Sequence, residues 1–247
     1  MYAFMGRVYP LPVHVTVIIP TLNEHQRVGA AIDSAFAAGA DEVIVADGGS
    51  TDATAAVARQ HGARVIEGET MRSRQMNRAA AEAANDALVF LHADTHLPAR
   101  ACALVARALD GGAVFGGFRL QFTESAFRLR FAAALINFRT RLTRCPWGDQ
   151  AQFVSRKAFL ESGAFREIPI MEDYELAIRM KRRGPTVVLP QKVTTSGRRF
   201  LTRGLFRTSF INWRIIVAWR LGADPERLAR MYRADRPSPG LRPPSPR

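Results

Sequence analysis

Ala87-Leu88-Val89-Phe90-Leu91 runs without a polar break into His92-Ala93-Asp94-Thr95-His96, and Pro98 closes the segment. A continuous apolar run that does not alternate is the pattern of a strand covered on both faces, as in a parallel sheet between helix layers. Such sheets bind ligands just past the carboxyl ends of their strands. The run therefore predicts an α/β chain whose chemistry gathers near Asp94, where the strand surfaces. A hard carboxylate there suits a divalent cation that neutralises a diphosphate, and it suits equally well the capping of the next turn.

Other strand–helix units surround this one. Val13 to Ile19 is rich in β-branched residues and stops at Pro20, which predicts a first strand. A helix follows from Asn23 or Glu24 to about Ala38, ended by Gly39. Glu42 to Ala46 is a second strand, followed by an Ala-rich helix capped by Ser50, Thr51 or Asp52 and ended by Gly62. Ala63 to Glu67 is a third strand, with helices predicted over Ser73 to Ala84 and Pro98 to Leu109. Units in this order imply a doubly wound, mostly parallel sheet with flanking helices. Beyond Gly111-Gly112 the pattern changes. Ala113 to Thr123 alternates and predicts an antiparallel strand; Ser125 to Arg144 predicts an arginine-rich amphipathic helix. Ala151 to Ser155 and Thr186 to Leu189 read as strands, with a separate stretch from Thr194 to Phe200. Glu172-Asp173 opens a helix to Arg183, and Leu201 to Leu221 reads as one long amphipathic helix.

The charge is unevenly placed. The chain has 247 residues and a formal net charge of +13, but residues 1–118 carry a net −3 and residues 119–247 a net +16. A basic half implies anionic partners such as substrate phosphates or an acidic membrane surface. Its arginines are spread along helices without a nucleic-acid-binding motif, so nucleic acid is not expected as a partner. Cys102 and Cys145 match neither a metal spacing nor a disulfide framework, which predicts a reducing compartment. Arg7, Pro10 and Pro12 interrupt the N-terminal apolar run, so no signal peptide is expected and the location expected is cytoplasmic. The Leu201–Leu221 helix mixes Phe and Trp with arginines, which suits packing on the domain or peripheral contact with the inner face of the cytoplasmic membrane.

Four clusters lie where a strand ends or a helix begins. Pro20-Thr21-Leu22-Asn23-Glu24 offers backbone amides and short polar side chains to a base, ribose or phosphate. Asp47-Gly48-Gly49-Ser50-Thr51-Asp52 pairs a strand-end carboxylate with glycines that admit a ligand close to the backbone. Ala93-Asp94 is the third. Glu172-Asp173 is the fourth, with Asp173 a candidate general base and Asp149 a second candidate near the acceptor. Helix capping and dipole stabilisation account for single members of each cluster. Arg72, Arg74 and Asn77 near a helix start form a natural anion site, and Arg198-Arg199 are placed to clamp a leaving diphosphate.

In order and spacing these clusters resemble family 2 glycosyltransferases of the GT-A fold. The matching residues are Val17-Ile18-Ile19-Pro20-Thr21-Leu22-Asn23-Glu24, Val45-Ala46-Asp47-Gly48-Gly49-Ser50-Thr51-Asp52, Leu91-His92-Ala93-Asp94 and Glu172-Asp173. The resemblance implies a nucleotide-sugar donor, a divalent cation (Mn or Mg) and inversion at the anomeric carbon. It implies that Thr21, Asn23, Glu24 and Asp47 hold the nucleoside, that Asp94 binds the metal as the last acid of the family's DXD element, and that Asp173 is the base. His92 stands at the first acid of that element. Arg198-Arg199-Phe200 stands where processive members carry Gln-x-x-Arg-Trp, so a single transfer is expected, to a small or lipid-linked hydroxyl acceptor. The expected organisation is a flexible tail (1–12), a GT-A catalytic domain (13–200) with a nucleotide-binding half (13–112) and an acceptor half (113–200), C-terminal amphipathic helices (201–235) and a disordered tail (236–247). Two alternatives compete: a nucleotidyltransferase, against which stands the lack of a Gly-rich, Lys-bearing phosphate loop near the first strand, and a non-catalytic basic membrane-binding module, which leaves Asp47, Asp94 and Asp173 unexplained.

Overall fold

Apolar side chains run down both faces of the central strands because each face meets its own helix layer. Val15, Val17, Ile19, Val43 and Val45 turn to one core, and Ile18, Ile44 and Ala46 turn to the other. The computed structural model describes residues 13–68 and 70–234, apart from the side chains of Arg203, Leu205 and Phe206. The expected tails at 1–12 and 236–247 lie outside the described residues.

Four parallel strands, β1 (Val15–Thr21), β2 (Glu42–Asp47), β3 (Arg64–Glu67) and β4 (Ala87–Phe90), lie in the order β3-β2-β1-β4. They are joined by α1 (Val28–Ala37), α2 (Thr54–Gln60) and α3 (Arg72–Glu82). The order reverses between β1 and β4, which opens a crevice at their carboxyl ends. β4 pairs with β1 only as far as Ile18. Pro20 thus sits past the paired stretch on that side, where its missing N–H breaks no ladder.

After β4 come the two-residue strand β5 (Thr95–His96) and α4 (Ala101–Asp110). Next are β6 (Phe115–Phe122), α5 (Phe127–Thr143), a 3₁₀ turn (Gly148–Gln150), β7 (Gln152–Ser155), α6 (Arg156–Glu161), α7 (Glu172–Lys181) and β8 (Thr186–Thr195). The eight strands form one sheet, β3-β2-β1-β4-β7-β6-β8-β5. β7 is antiparallel to both β4 and β6, whereas β6 runs parallel to β8. α1, α2, α4 and α5 cover one face; α3, α6 and α7 cover the other.

Three expectations need correction. β4 ends at Phe90, four residues before Asp94, because the chain turns at once: the Thr95 amide donates to the His92 carbonyl. Thr186 to Thr195 is one strand and not two segments; Phe118 pairs with Leu189 but Arg119 pairs with Lys192, so Pro190 and Gln191 bulge out. A bulge is where a strand accommodates a residue with no N–H. The long C-terminal helix is broken into α8 (Arg198–Arg203) and α9 (Leu205–Arg220) at Gly204, whose φ of +81° suits glycine. α8 also takes in Arg198 to Phe200. α10 (Pro225–Ala234) ends the described chain.

Candidate active site at the strand ends

Two loops, one after β1 and one after β2, are laced to each other. Thr21 and Asp47 are register partners at the ends of these strands, and Thr21 Oγ1 donates to Asp47 Oδ1 at 2.9 Å. The Asp47 carboxylate, only 2% exposed, also accepts from the Gly49 amide (3.2 Å), the Ser50 amide (2.8 Å) and the Ser50 hydroxyl (2.5 Å). Asn23 adopts a left-handed φ of +56°, which Asn tolerates, and its Oδ1 accepts from the Thr51 amide at 2.9 Å. The Asn23 amide donates to Ser50 Oγ, and the Glu24 amide donates to Thr54 Oγ1. Thr54 and His25 also donate hydrogen bonds to Asp52, which hold its carboxyl below the usual range against a smaller effect of burial. Much of this polar set builds the loops.

The first turn of α3 joins these loops to the rest of the site. Gln75 lies over Gly48, where an added Cβ would fall 1.8 Å from Gln75 Nε2. Three residues earlier, Arg72 donates to Nε2 of His92 and pairs with Glu172 at 3.3 Å. Burial, with Arg72 and Arg199 nearby, keeps the His92 imidazole well below its ordinary pKa, so it is neutral and accepts. A cavity of about 570 Å³ opens beside this helix, lined by residues including Asp47, Gly68, Arg74, Gln75, Asn77 and Glu167. That volume is in the range of small-molecule sites. Arg74 pairs with Glu167 at 2.8 Å. Asn77 bonds both ways to the Phe165 backbone, at 2.8 and 2.9 Å, and so ties α3 to the loop before α7.

The Trp147–Gln150 turn, between α5 and β7, faces α3. Gln150, fully buried, accepts through Oε1 from Thr140 (2.8 Å), Arg139 (3.2 Å) and the Trp147 amide (3.2 Å), and donates to the Phe118 carbonyl. Gln152 Nε2 donates to the carbonyls of Pro146 and Asp173. The Arg139 guanidinium stacks 3.5 Å above the Trp147 ring. So anchored, the Gly148 amide donates to Asp173 Oδ2 at 2.7 Å, while Oδ1 accepts from the Tyr174 amide at 2.7 Å. A Cβ on Gly148 would sit 2.9 Å from Asp173 Oδ2, 3.0 Å from His92 Nε2 and 3.1 Å from Arg72 Nη2. Asp173, His92 and Arg72 therefore meet at this glycine.

Buried charge concentrates here. Asp149 Oδ1 is shielded from solvent without a hydrogen-bond partner, and burial pushes its carboxyl above the usual range against the pull of Arg139. Glu172 is 6% exposed and is likewise pushed up by burial, opposed by Arg72. Burial pulls the Arg139 guanidinium down. Arg199, on α8, lies near enough to act on both His92 and Asp149, and it bonds to Tyr232 of α10. Arg198, in the same turn, is exposed.

Asp94 differs from these groups. It is half-buried, and among the described residues its carboxylate has one contact, Thr95 Oγ1 at 3.5 Å. Its free hard oxygens fit a divalent cation. No group of three or more His, Cys, Asp or Glu among the described residues is arranged to hold a metal. A cation on Asp94 would complete its shell with phosphate oxygens and water, as Mg commonly does. His92, half-buried with its Nε2 bound by Arg72, is no second ligand in this arrangement.

The structure thus brings Arg72, His92, Glu172, Asp173 and the turn bearing Asp149 together, His92 standing two residues before Asp94 in the chain, and Gln75 of the same helix turn reaches Gly48. Gly148, Gln75, Gln150 and the Arg139–Trp147 stack each act through a contact distant in sequence, so local spacing does not show what they touch.

A family model described as glycosyl transferase family 2 matches residues 16–167. The chain matches no curated protein sequence. Similar solved structures include glucosyl-3-phosphoglycerate synthase from Mycobacterium tuberculosis with phosphoglyceric acid, at 20% identity and TM-score 0.58, covering 86% of this chain and 81% of that one. A mannosyltransferase from Pyrobaculum calidifontis in complex with GDP-Man and Mn²⁺ matches at 19% identity and TM-score 0.60, over 86% of this chain and 63% of that one. Mannosyl-3-phosphoglycerate synthase from Rubrobacter xylanophilus matches at 21% identity and TM-score 0.54, over 85% and 74%. At these identities the likeness is one of fold.

Proposed function

The chain belongs to glycosyl transferase family 2 and is a glycosyltransferase; from that premise we propose an inverting, divalent-cation-dependent enzyme that moves one sugar from a nucleoside diphosphate sugar to an acceptor hydroxyl. The observation that carries this reading is the meeting of Asp173, His92 and Arg72 at Gly148, with His92 two residues before Asp94 in the chain.

Each side chain then has a task. Pro20, Thr21, Asn23, Glu24, Asp47 and Gly48 shape the nucleoside end, Asp47 by fixing the loop with its four accepted hydrogen bonds. Arg72, Arg74, Asn77 and Ala93 border the donor, and Arg198 and Arg199 face the leaving diphosphate. Asp94 is the residue that would hold Mn or Mg, whose chemistry is to neutralise that diphosphate. Asp173, with both oxygens held by backbone amides, takes the proton of the acceptor hydroxyl, which must lie within about 3 Å of it. Glu172 holds Arg72, and Asp149 borders the acceptor. In-line attack by that hydroxyl inverts the anomeric carbon. The fold neighbours solved in complex with UDP and Mn²⁺ or with GDP-Man and Mn²⁺ support the donor class. Arg198-Arg199-Phe200, in place of a processive motif, supports a single transfer.

A lipid-linked or otherwise apolar acceptor, met at the inner face of a membrane, is the acceptor class that the basic C-terminal half favours. Among the described residues no helix is long and apolar enough to cross a membrane.

Thermal shift with UDP, GDP and their sugars, with and without Mn²⁺ or Mg²⁺, tests the reading. Saturation about 100-fold above Kd contributes about 2.7 kcal/mol, which is a rise of several degrees for a chain of this size. Metal-dependent stabilisation by a nucleoside diphosphate is expected. A preference for nucleoside triphosphates would favour nucleotidyl transfer, and no response to any nucleotide would overturn both.

A further inference from the structure

α5 has two apolar faces, and its packing against β6 and α9 covers only one of them. Leu129, Ala132, Ala133 and Thr140 turn inward and are buried. Phe127, Phe131, Leu135, Phe138 and Leu142 recur at the three- and four-residue spacing of a single stripe, and they stand 79%, 49%, 50%, 67% and 74% exposed. A contiguous exposed apolar stripe marks a surface that meets something.

Charge identifies what it meets. α5 contains Arg128, Arg130, Arg139 and Arg141 and no acidic residue, and Arg144 follows at its C-cap. Arg139 points at Trp147; the others are exposed. α9 packs against α5 and adds the exposed Arg207 and Arg214, again without an acid. On α9, Phe210 and Trp213 stack on each other and are more than half exposed. A second copy of the chain docking here would set these arginines against themselves. A bilayer with anionic headgroups offers hydrocarbon to the rings and negative charge to the guanidinium groups.

We propose that the outer face of α5, with the adjoining α9, lies on an anionic membrane surface. This deepens the reading of a lipid-linked acceptor and rests on it for its purpose. The inner side of α5 carries Arg139 to the turn beside Asp173, so a single helix, about 10 Å across, separates the bilayer from the acceptor side of the site.

Sedimentation of the full chain with phosphatidylcholine vesicles, with and without phosphatidylglycerol, tests this. Binding is expected with the anionic vesicles and is expected to fall with salt. Phe131→Asp with Phe138→Asp, and separately Arg128→Glu with Arg141→Glu, should each lower the bound fraction at least about tenfold, given roughly fivefold per interfacial charge. Phe127→Ser with Leu142→Ser replaces the aspartate pair if melting shows that the fold has suffered. Donor hydrolysis without vesicles should be unchanged in all of these, which separates failure of docking from failure of the transfer chemistry. Absence of sedimentation with anionic vesicles, or variants that sediment like wild type, overturns the proposal. It is also overturned if light scattering shows a dimer that these substitutions dissociate while vesicles bind neither form.

Discussion

The loops after β1 and β2 and the turn before β7 handle polar side chains in opposite ways. In the first pair, Asn23, Asp47, Ser50, Asp52 and Thr54 answer one another, and the Asp47 carboxylate accepts four hydrogen bonds. Around Gly148, charges are buried with less compensation: Asp149 Oδ1 has no partner, and burial pushes both Asp149 and Glu172 upward. Burying charge without full pairing is costly, and it persists where a site needs groups poised for chemistry. On the proposed function, the comparison separates residues that build the scaffold from residues set to react, and substitutions should divide the same way.

The largest effects are expected in the second group and at Asp94. Asp173→Asn should keep donor binding and lower turnover by about 10²- to 10⁴-fold, the range for loss of a general base. Asp94→Ala should also stop turnover, but by removing the metal dependence of donor binding. Calorimetric titration of donor with and without Mn²⁺ distinguishes them; equal loss of donor affinity in both would contradict the division of roles.

Gly148→Ala comes next. Its Cβ would crowd Asp173, His92 and Arg72 at 2.9, 3.0 and 3.1 Å. A displacement of order 1 Å at a reacting centre costs about 100-fold. Steady-state kinetics should show that loss in kcat with the donor KM little changed. An unchanged kcat would place the chemistry elsewhere.

Asp47→Asn reads out the scaffold. Asn cannot accept all four donors, and a buried unsatisfied group costs about 1–3 kcal/mol. At roughly 2–4 °C per kcal/mol for this chain length, the Tm without ligand should fall by several degrees. A residue that served only to touch a ligand would leave that Tm unmoved.

What the sequence showed follows the same division. β1 to β4 were legible because burial on both faces leaves unbroken apolar runs, and Gly39 and Gly62 mark where helices stop. Thr186–Thr195 was not, because Pro190 sits in a bulge that only the partner strand β6 reveals. The break at Gly204 is a single left-handed residue inside a helical pattern. In the site, Asp94 and Asp173 stood out as carboxylates at element ends. The bond from Arg72 to His92 and that from Gly148 to Asp173 span 20 and 25 residues, and no local spacing encodes them. α5 shows a third case: its amphipathic reading found one apolar face, while Phe127, Phe131, Leu135, Phe138 and Leu142 make a second that only the packing leaves bare.

Asp149→Asn is expected to give the smallest effect, opposite in sign to Asp47→Asn. Burial raises the folded pKa of Asp149 above the unfolded value of about 3.9, despite Arg139. As pH rises, the unfolded chain releases this proton first. The folded state therefore loses relative stability from about pH 4 upward until its own pKa is passed. Asn carries no such proton, so the variant should melt above wild type at neutral pH, with the gap closing toward pH 4. Turnover should fall in the same variant, since the proposed function sets Asp149 beside the acceptor. A variant that melts lower at neutral pH, with a difference that ignores pH, would mean that the pairing with Arg139 outweighs burial. The turn at Gly148 would then be as fully satisfied as the loops around Asp47, and the contrast between the two regions would fail.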